Sequence, residues 1–283
     1  MSLTIHKANE TLDYKPWVFP GGEIGVKLDV TNLRYRSTVA EHQTIVARIQ
    51  NSADLMTLIM ARDALARWDK TPINLFLPYI PYARQDRVCV PGEAFSLKVF
   101  ANQLNNLDFN QVTVLDPHSS VSEALFDNLN VITQSQVIQQ WDELTTRLRR
   151  PNTILVSPDA GANKKTSDIA AYLAHDSFLR ADKLRDLTNG KIKETIVYAD
   201  DLTGVEVVIV DDLCDRGGTF IALAKVLKAK GASIVGLYTT HAILPDGADA
   251  LFAGGIDEVW VTNSFRTDLD SRIKVFDIAT FLR

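Results

Sequence analysis

The stretch "EVVIVDDLCDRGGTFIALAKVLKAKG" (206–231) carries the architecture of this chain in miniature. Glu206 to Asp212 is a nearly unbroken apolar run ending in two carboxylates, the pattern of a strand buried on both faces. A Gly-Gly-Thr turn follows. From Thr219 the apolar residues return at helical spacing, up to Gly231, a natural helix stop. The same order of strand, polar turn and helix recurs along the chain. "QTIVARI" (43–49) reads as a strand before a helix over 53–68, where Leu55, Leu58, Ile59, Arg62, Leu65 and Ala66 fall near one face. "INLFLP" (73–78), "QVTVLD" (111–116), "TILVS" (153–157), "ASIVGLYTT" (232–240) and "DEVWVT" (257–262) read as further strands, with helices over 95–107 and 162–174. Val/Ile/Leu-rich strands alternating with helices predict parallel sheets covered on both faces, an α/β fold.

The series is long enough for two sheets. A polar helical segment, "QSQVIQQWDELTTRLRRPN" (134–152), marks the junction, and we expect two domains, 1–140 and 141–283. The 283 residues, 46% hydrophobic and 23% charged, have ordinary globular composition and can bury substantial cores. A net charge of -5 argues against a general nucleic-acid or anionic-membrane surface. No apolar run approaches the ~18 residues that span a bilayer. The first residues lack the apolar core of a signal peptide, and Cys89 and Cys214 provide no disulfide framework. The expected location is cytoplasmic.

"TVLDPHSS", "ILVSPDAGAN" and "VIVDDLCDRGGT" each place polar groups just after a strand. In open α/β sheets ligands bind beyond the carboxyl ends of strands. Gly217 and Gly218 let the backbone approach a ligand closely. Thr219 offers an N–H and a hydroxyl at a helix start, groups that suit a phosphate. Asp211 and Asp212 would repel phosphate, but they suit sugar hydroxyls or a divalent cation. A sugar phosphate requires both kinds of group side by side. The plainer alternative is a capped strand-to-helix turn with no ligand. The loop matches neither a Walker motif nor a dinucleotide fingerprint.

"VVIVDDLCDRGGT" resembles the phosphoribosyl diphosphate loop of phosphoribosyltransferases and ribose-phosphate diphosphokinases. The resemblance implies that Asp211 and Asp212 face ribose hydroxyls, and that Asp215, Arg216, Gly217, Gly218 and Thr219 hold the 5-phosphate. The family ordinarily has Thr where this chain has Arg216. "PYIPYARQDRVCVPGEAFSLKVFANQL" (78–104) is similar to a segment found in the diphosphokinases and not in simple phosphoribosyltransferases. It implies ATP contacts by Arg84, Gln85 and Arg87, and guanidinium groups are apt donors to phosphate. "LDPHS" (115–119) resembles the family's "DLHA", making His118 part of a Mg-ATP site. "VSPDAGANKKTSDIA" (156–170) resembles "SPDAGGVKRA", making Asp159 the carboxylate near the metal and the ribose.

"RADKLRD" (180–186) resembles the core of a mobile catalytic loop, with Lys183 and Arg185 as its cations. "VFPGGEIGVKL" (18–28) resembles "FxDGExxV", in which Phe19 and Glu23 would help to form an adenine pocket reaching a neighbouring subunit; Gly21 replaces an aspartate. A Gly-Gly hairpin turn is the plain alternative there.

The resemblance runs from about residue 18 to the C-terminus and implies two phosphoribosyltransferase-like domains, each with a mostly parallel central sheet flanked by helices. It implies transfer of a diphosphoryl group from ATP to O1 of ribose 5-phosphate with Mg2+ as cofactor, and a homo-oligomer with the ATP site near a subunit interface. Neither nucleic acid nor membrane is expected as a partner. A phosphoribosyltransferase would share the 207–220 loop but would leave "YARQDR", "DPHS" and "DKLR" unexplained. A catalytically silent relative would tend to have lost the loop cations that Lys183 and Arg185 retain.

Overall fold

Apolar side chains collect into two separate cores, one within residues 1–132 and the other within 133–283. The computed structural model describes residues 3–7, 10–31, 40–185 and 192–282, with residues 184, 185, 192 and 193 described by their backbone alone.

In the first unit, strands β1 (Leu3–Lys7) and β2 (Glu10–Leu12) precede a hairpin of β3 (Tyr14–Val18) and β4 (Ile24–Leu28). Then come β5 (Gln43–Ala47), α1 (Ser52–Trp68), β6 (Ile73–Leu77), α2 (Ser96–Asn105), β7 (Gln111–Leu115), α3 (Val121–Leu125) and β8 (Leu129–Ile132). Helix α1 starts where Asn51 and Asp54 cap one another: Asp54 N–H donates to Asn51 Oδ1 at 3.1 Å, and Asn51 N–H donates to Asp54 Oδ2 at 3.2 Å. It buries Thr57, Leu58, Ala61 and Leu65, a stripe at the spacing expected of a helix packed on a sheet. Among the described residues the main sheet runs β2-β1-β5-β6-β7-β8, with β5 to β8 parallel and β1 antiparallel to both neighbours.

The second unit opens with α4 (Gln134–Gln139) and α5 (Asp142–Leu148), so the polar segment 134–152 is two short helices broken at Gln140–Trp141. It continues with β9 (Thr153–Ser157), α6 (Asn163–Leu173), β10 (Leu179–Arg185), β11 (Ile192–Val197), β12 (Glu206–Cys214), α7 (Gly218–Ala229) and β13 (Ile234–Ala242). α8 (Asp249–Ala253), β14 (Glu258–Thr262), β15 (Lys274–Phe276) and a 3-10 turn (Ile278–Leu282) complete it. The sheet order is β11-β10-β9-β12-β13-β14-β15 among the described residues, parallel throughout except for β11. Helix α7 buries Phe220, Leu223, Ala224 and Leu227; each large side chain so buried contributes roughly 1.5–3 kcal/mol. The expected α/β class with mostly parallel, helix-flanked sheets is what the chain adopts.

The segment "RADKLR" departs from its expectation. Residues 180–185 are strand rather than loop, because β10 continues past its pairing with β9 and is held there by antiparallel β11, Lys183 opposite Thr195. Residues 186–191, which take in part of the polar run read as a mobile loop, lie outside the described residues.

Candidate active site

In the second unit, the parallel strands bring Asp159, Lys183, Asp211 and Asp212 to the carboxyl end of one sheet. Asp159 follows β9 directly, its carboxylate turned back to accept from Ala162 N–H at 3.2 Å, while Ser157 Oγ donates to its carbonyl at 2.9 Å. Lys183 reaches across from β10, and its Nζ lies 2.6 Å from Asp159 Oδ2. The lysine side chain is only 10% exposed, so its charge is held rather than solvated. Burial pushes the Asp159 carboxyl up, but the Lys183 hydrogen bond and charge, with the Ala162 and Gly161 N–H groups, outweigh it and hold the carboxyl below its ordinary range.

Asp211 and Asp212 end the buried run of β12. Asp212 N–H donates to Asp211 Oδ1 at 2.9 Å, and Lys165 Nζ stands 3.8 Å from Asp212 Oδ2. Asp211 keeps some exposure, yet enclosure pushes its carboxyl well above the usual range, and the charges of Asp212 and Asp159 add to the shift. The charges of Asp212 and Asp159 thus both bear on Asp211. Buried Gln134, at the start of α4, fixes this strand end by donating from Nε2 to Asp211 O at 2.6 Å.

Beyond the acidic pair the chain turns into α7. Gly217 sits at φ +78°, a left-handed conformation, and a Cβ there would run into the Leu251 side chain. Gly218, the first residue of the helix, has open space on its Cβ side. The helix start has no side-chain cap, and the N–H groups of a first helical turn favour an anion. Gly217→Ala is expected to lower stability by about 1–2 kcal/mol, from the left-handed backbone and the Leu251 clash together, read by denaturant melts. Cys214, under this turn, is buried; burial first, then Asp211 and Asp215, push its thiol up to about 12. Arg216 pairs with Asp246. Asp215 is half-buried, as is Thr219.

In the first unit, Arg84, Gln85 and Arg87 lie exposed in the turn after β6, and His118 is exposed after β7. Sequence reasoning passed over the residue between them. Asp86 is 6% exposed and accepts from Arg87 Nε at 2.8 Å. The Arg87 hydrogen bond holds its carboxyl below the ordinary range against burial, helped by Ser119 and by the charges of Arg87 and His118. Asp86 thereby joins the arginine-bearing turn to the segment carrying His118. Nothing in "RQDR" marks the aspartate as buried; only the neighbouring segment does. Phe19 and Glu23 lie on the β3–β4 hairpin, whose turn closes with Gly22 N–H donating to Phe19 O and Phe19 N–H to Glu23 O. Trp17 and Phe19 meet edge to face at 5.5 Å and remain exposed. The backbone of Arg185 ends β10, and its side chain lies outside the described residues.

Family models match both parts of the chain. That described as the N-terminal domain of ribose phosphate pyrophosphokinase matches residues 10–107, and that described as a phosphoribosyl synthetase-associated domain matches residues 148–283. A ribose-phosphate pyrophosphokinase of Wolinella succinogenes is 31% identical over 264 residues, covering 92% of this chain and 82% of that protein. One from Helicobacter hepaticus is 33% identical over 227 residues, covering 80% and 72%. Among solved structures, a phosphoribosylpyrophosphate synthetase from Mycobacterium smegmatis superposes with a TM-score of 0.80 at 23% identity, over 97% of this chain and 89% of that one. This last likeness concerns the fold.

Proposed function

The chain belongs to the ribose-phosphate pyrophosphokinase family, and on that footing we propose that it transfers a diphosphoryl group from ATP to O1 of ribose 5-phosphate, giving phosphoribosyl diphosphate and AMP. The observation that carries the reading is the pairing of an acidic strand end, Asp211 and Asp212, with the open helix start at Gly218. One part suits sugar hydroxyls and the other a phosphate.

In this reading Asp211 and Asp212 orient the ribose, and the Asp215–Thr219 backbone holds the 5-phosphate, placing O1 for attack. The attacking hydroxyl must approach a polyanion, so catalysis is largely a matter of charge. Lys183, nearly buried, supplies a fixed cation for charge that develops on the transferring group, and Arg185, on the same strand, supplies a second positive charge. Arg84, Gln85 and Arg87 take the nucleotide phosphates. Asp86 holds Arg87, and Phe19 and Glu23 form part of the base pocket.

A divalent cation fits the chemistry of the second unit. Burial first, and then the charges of Asp212 and Asp159, raise the Asp211 carboxyl, and such an ion would offset that charge. No group of three or more His, Cys, Asp or Glu side chains among the described residues could hold a metal alone. Mg2+ typically takes one or two carboxylates and completes its octahedron with water and substrate phosphates. We assign Asp159 to that role in the second unit, and His118 to a contact with the Mg-nucleotide in the first. Mg2+ when bound offsets the phosphate charge that repels the nucleophile.

The proposal extends to a cytoplasmic homo-oligomer with the ATP site near a subunit boundary. The exposed Trp17, Val18 and Phe19 of the hairpin support such a boundary. No helix among the described residues is long and apolar enough to cross a membrane.

The test is direct. Full-length protein with Mg2+, ATP and ribose 5-phosphate should release AMP in step with phosphoribosyl diphosphate. Omitting ribose 5-phosphate should stop it. Absence of AMP under these conditions refutes the activity.

A further inference from the structure

Arg216 is the one side-chain cation in the 211–219 loop, and the family pattern leaves it unexplained. Its guanidinium forms an ion pair with Asp246. Asp246 belongs to the turn after β13, and that turn is built onto the phosphate loop. Ile243 N–H donates to Cys214 O at 2.8 Å, and Leu244 N–H donates to Asp215 O at 3.0 Å. From the other side, Arg266 Nη1 donates to the carbonyls of Ile243 and Leu244 at 3.2 and 3.0 Å, while its Nε and Nη2 hold Asp268. Gly247, at φ +80°, closes the turn by donating to Leu244 O at 3.1 Å. The backbone carrying Asp246 is thus fixed beside the residue that precedes the two loop glycines.

We infer that Asp246 is an affinity-setting residue of the sugar-phosphate site, an internal carboxylate that occupies Arg216 until the 5-phosphate of the substrate displaces it. The inference rests on the sugar-phosphate reading of the loop. A guanidinium one residue from Gly217 is within reach of an anion at the start of α7, and its fork prefers phosphate or carboxylate oxygens. Both side chains are well exposed, at 67% and 72%. An ion pair so open to water contributes little and exchanges readily. A phosphate dianion, already held by the loop N–H groups, competes with it successfully. A sugar without the phosphate has nothing to offer Arg216 and leaves the pair closed. Arg216 therefore adds to discrimination in favour of the phosphorylated sugar, and Asp246 tempers the affinity that Arg216 brings.

Titration calorimetry on the full-length chain without ATP tests this, with ribose 5-phosphate and inorganic phosphate as separate probes. Asp246→Asn should tighten binding of both by about two- to fivefold, the range available to an exposed pair. On an Arg216→Thr background the same change should have no effect. Unchanged or weaker binding in Asp246→Asn overturns the inference, and so does tightening that persists without Arg216. If inorganic phosphate shows the gain and ribose 5-phosphate does not bind, the competition stands and the sugar assignment fails. If neither probe binds the wild-type protein, both fall. Both side chains lie at the surface, so the variants should fold, and matching circular dichroism spectra check this.

Discussion

Lys183→Ala is expected to slow AMP release at saturating substrates by about 10²-fold or more, the loss seen when a single preorganised electrostatic donor is removed. Lys183 is suited to such a role because its ammonium is already fixed. Strand β10 carries it past β9, β11 braces it from the far side, and Asp159 meets it at 2.6 Å. Little reorganisation is then needed when charge develops on a transferring phosphoryl group. The loss should fall on kcat rather than on KM for either substrate, because the cation matters most in the transition state. Lys183→Arg, which keeps the charge, should recover part of the rate. A variant that melts as the wild type does and turns over unchanged would remove Lys183 from the mechanism.

The second large effect belongs to the acidic pair. Replacing Asp211 and Asp212 together by asparagine should raise KM for ribose 5-phosphate about 10- to 100-fold and leave KM for ATP within a few-fold. Hydrogen bonds from sugar hydroxyls to a carboxylate are worth about 1.5–3 kcal/mol, and an amide accepts less strongly. The folded-state pKa of Asp211 lies well above its ordinary value, first because of burial and then because of Asp212 and Asp159. A carboxyl so shifted favours the fold fully below the unfolded-state pKa, and that contribution is lost as pH rises through the folded-state value. Above that folded-state value the ionised Asp211 therefore opposes folding. The double asparagine variant should melt no earlier than the wild type, and its stability should decline less with rising pH. A purely structural pair would show the reverse, with stability lost and no selective change in the sugar phosphate requirement. Equal effects on both KM values would remove the ribose from its assigned place.

The sheet strands and the helices facing them were legible because burial on both faces leaves a plain apolar record. "TILVS" and "EVVIVDD" became β9 and the greater part of β12. The N-terminal strands were not legible. β1 alternates buried and half-buried residues, and β3 carries Pro16 and faces largely outward, so neither forms an apolar run. β10 and β11 were hidden by their charge, since "LRADKLR" and "IKETIV" gain strand structure from pairing with each other as much as from burial. In the site, residue types could be read but partners could not. That Lys183 meets Asp159, that Gln134 holds the Asp211 carbonyl and that Asp86 lies against the segment of His118 all depend on contacts between separate stretches of chain. The same is true of Arg216, which looked anomalous within its own loop and acquired a partner only through the turn after β13.

The two cysteines differ in a way that has a practical consequence. Cys214 lies buried beneath the loop assigned to the 5-phosphate with its thiol pushed up to about 12, so almost none of it is thiolate near neutrality. Cys89 is exposed, two positions beyond Arg87. A maleimide dye therefore has a single address on the native chain, beside the residues assigned to the nucleotide. Without any engineered substitution, the protein offers an attachment point for an optical reporter of nucleotide arrival.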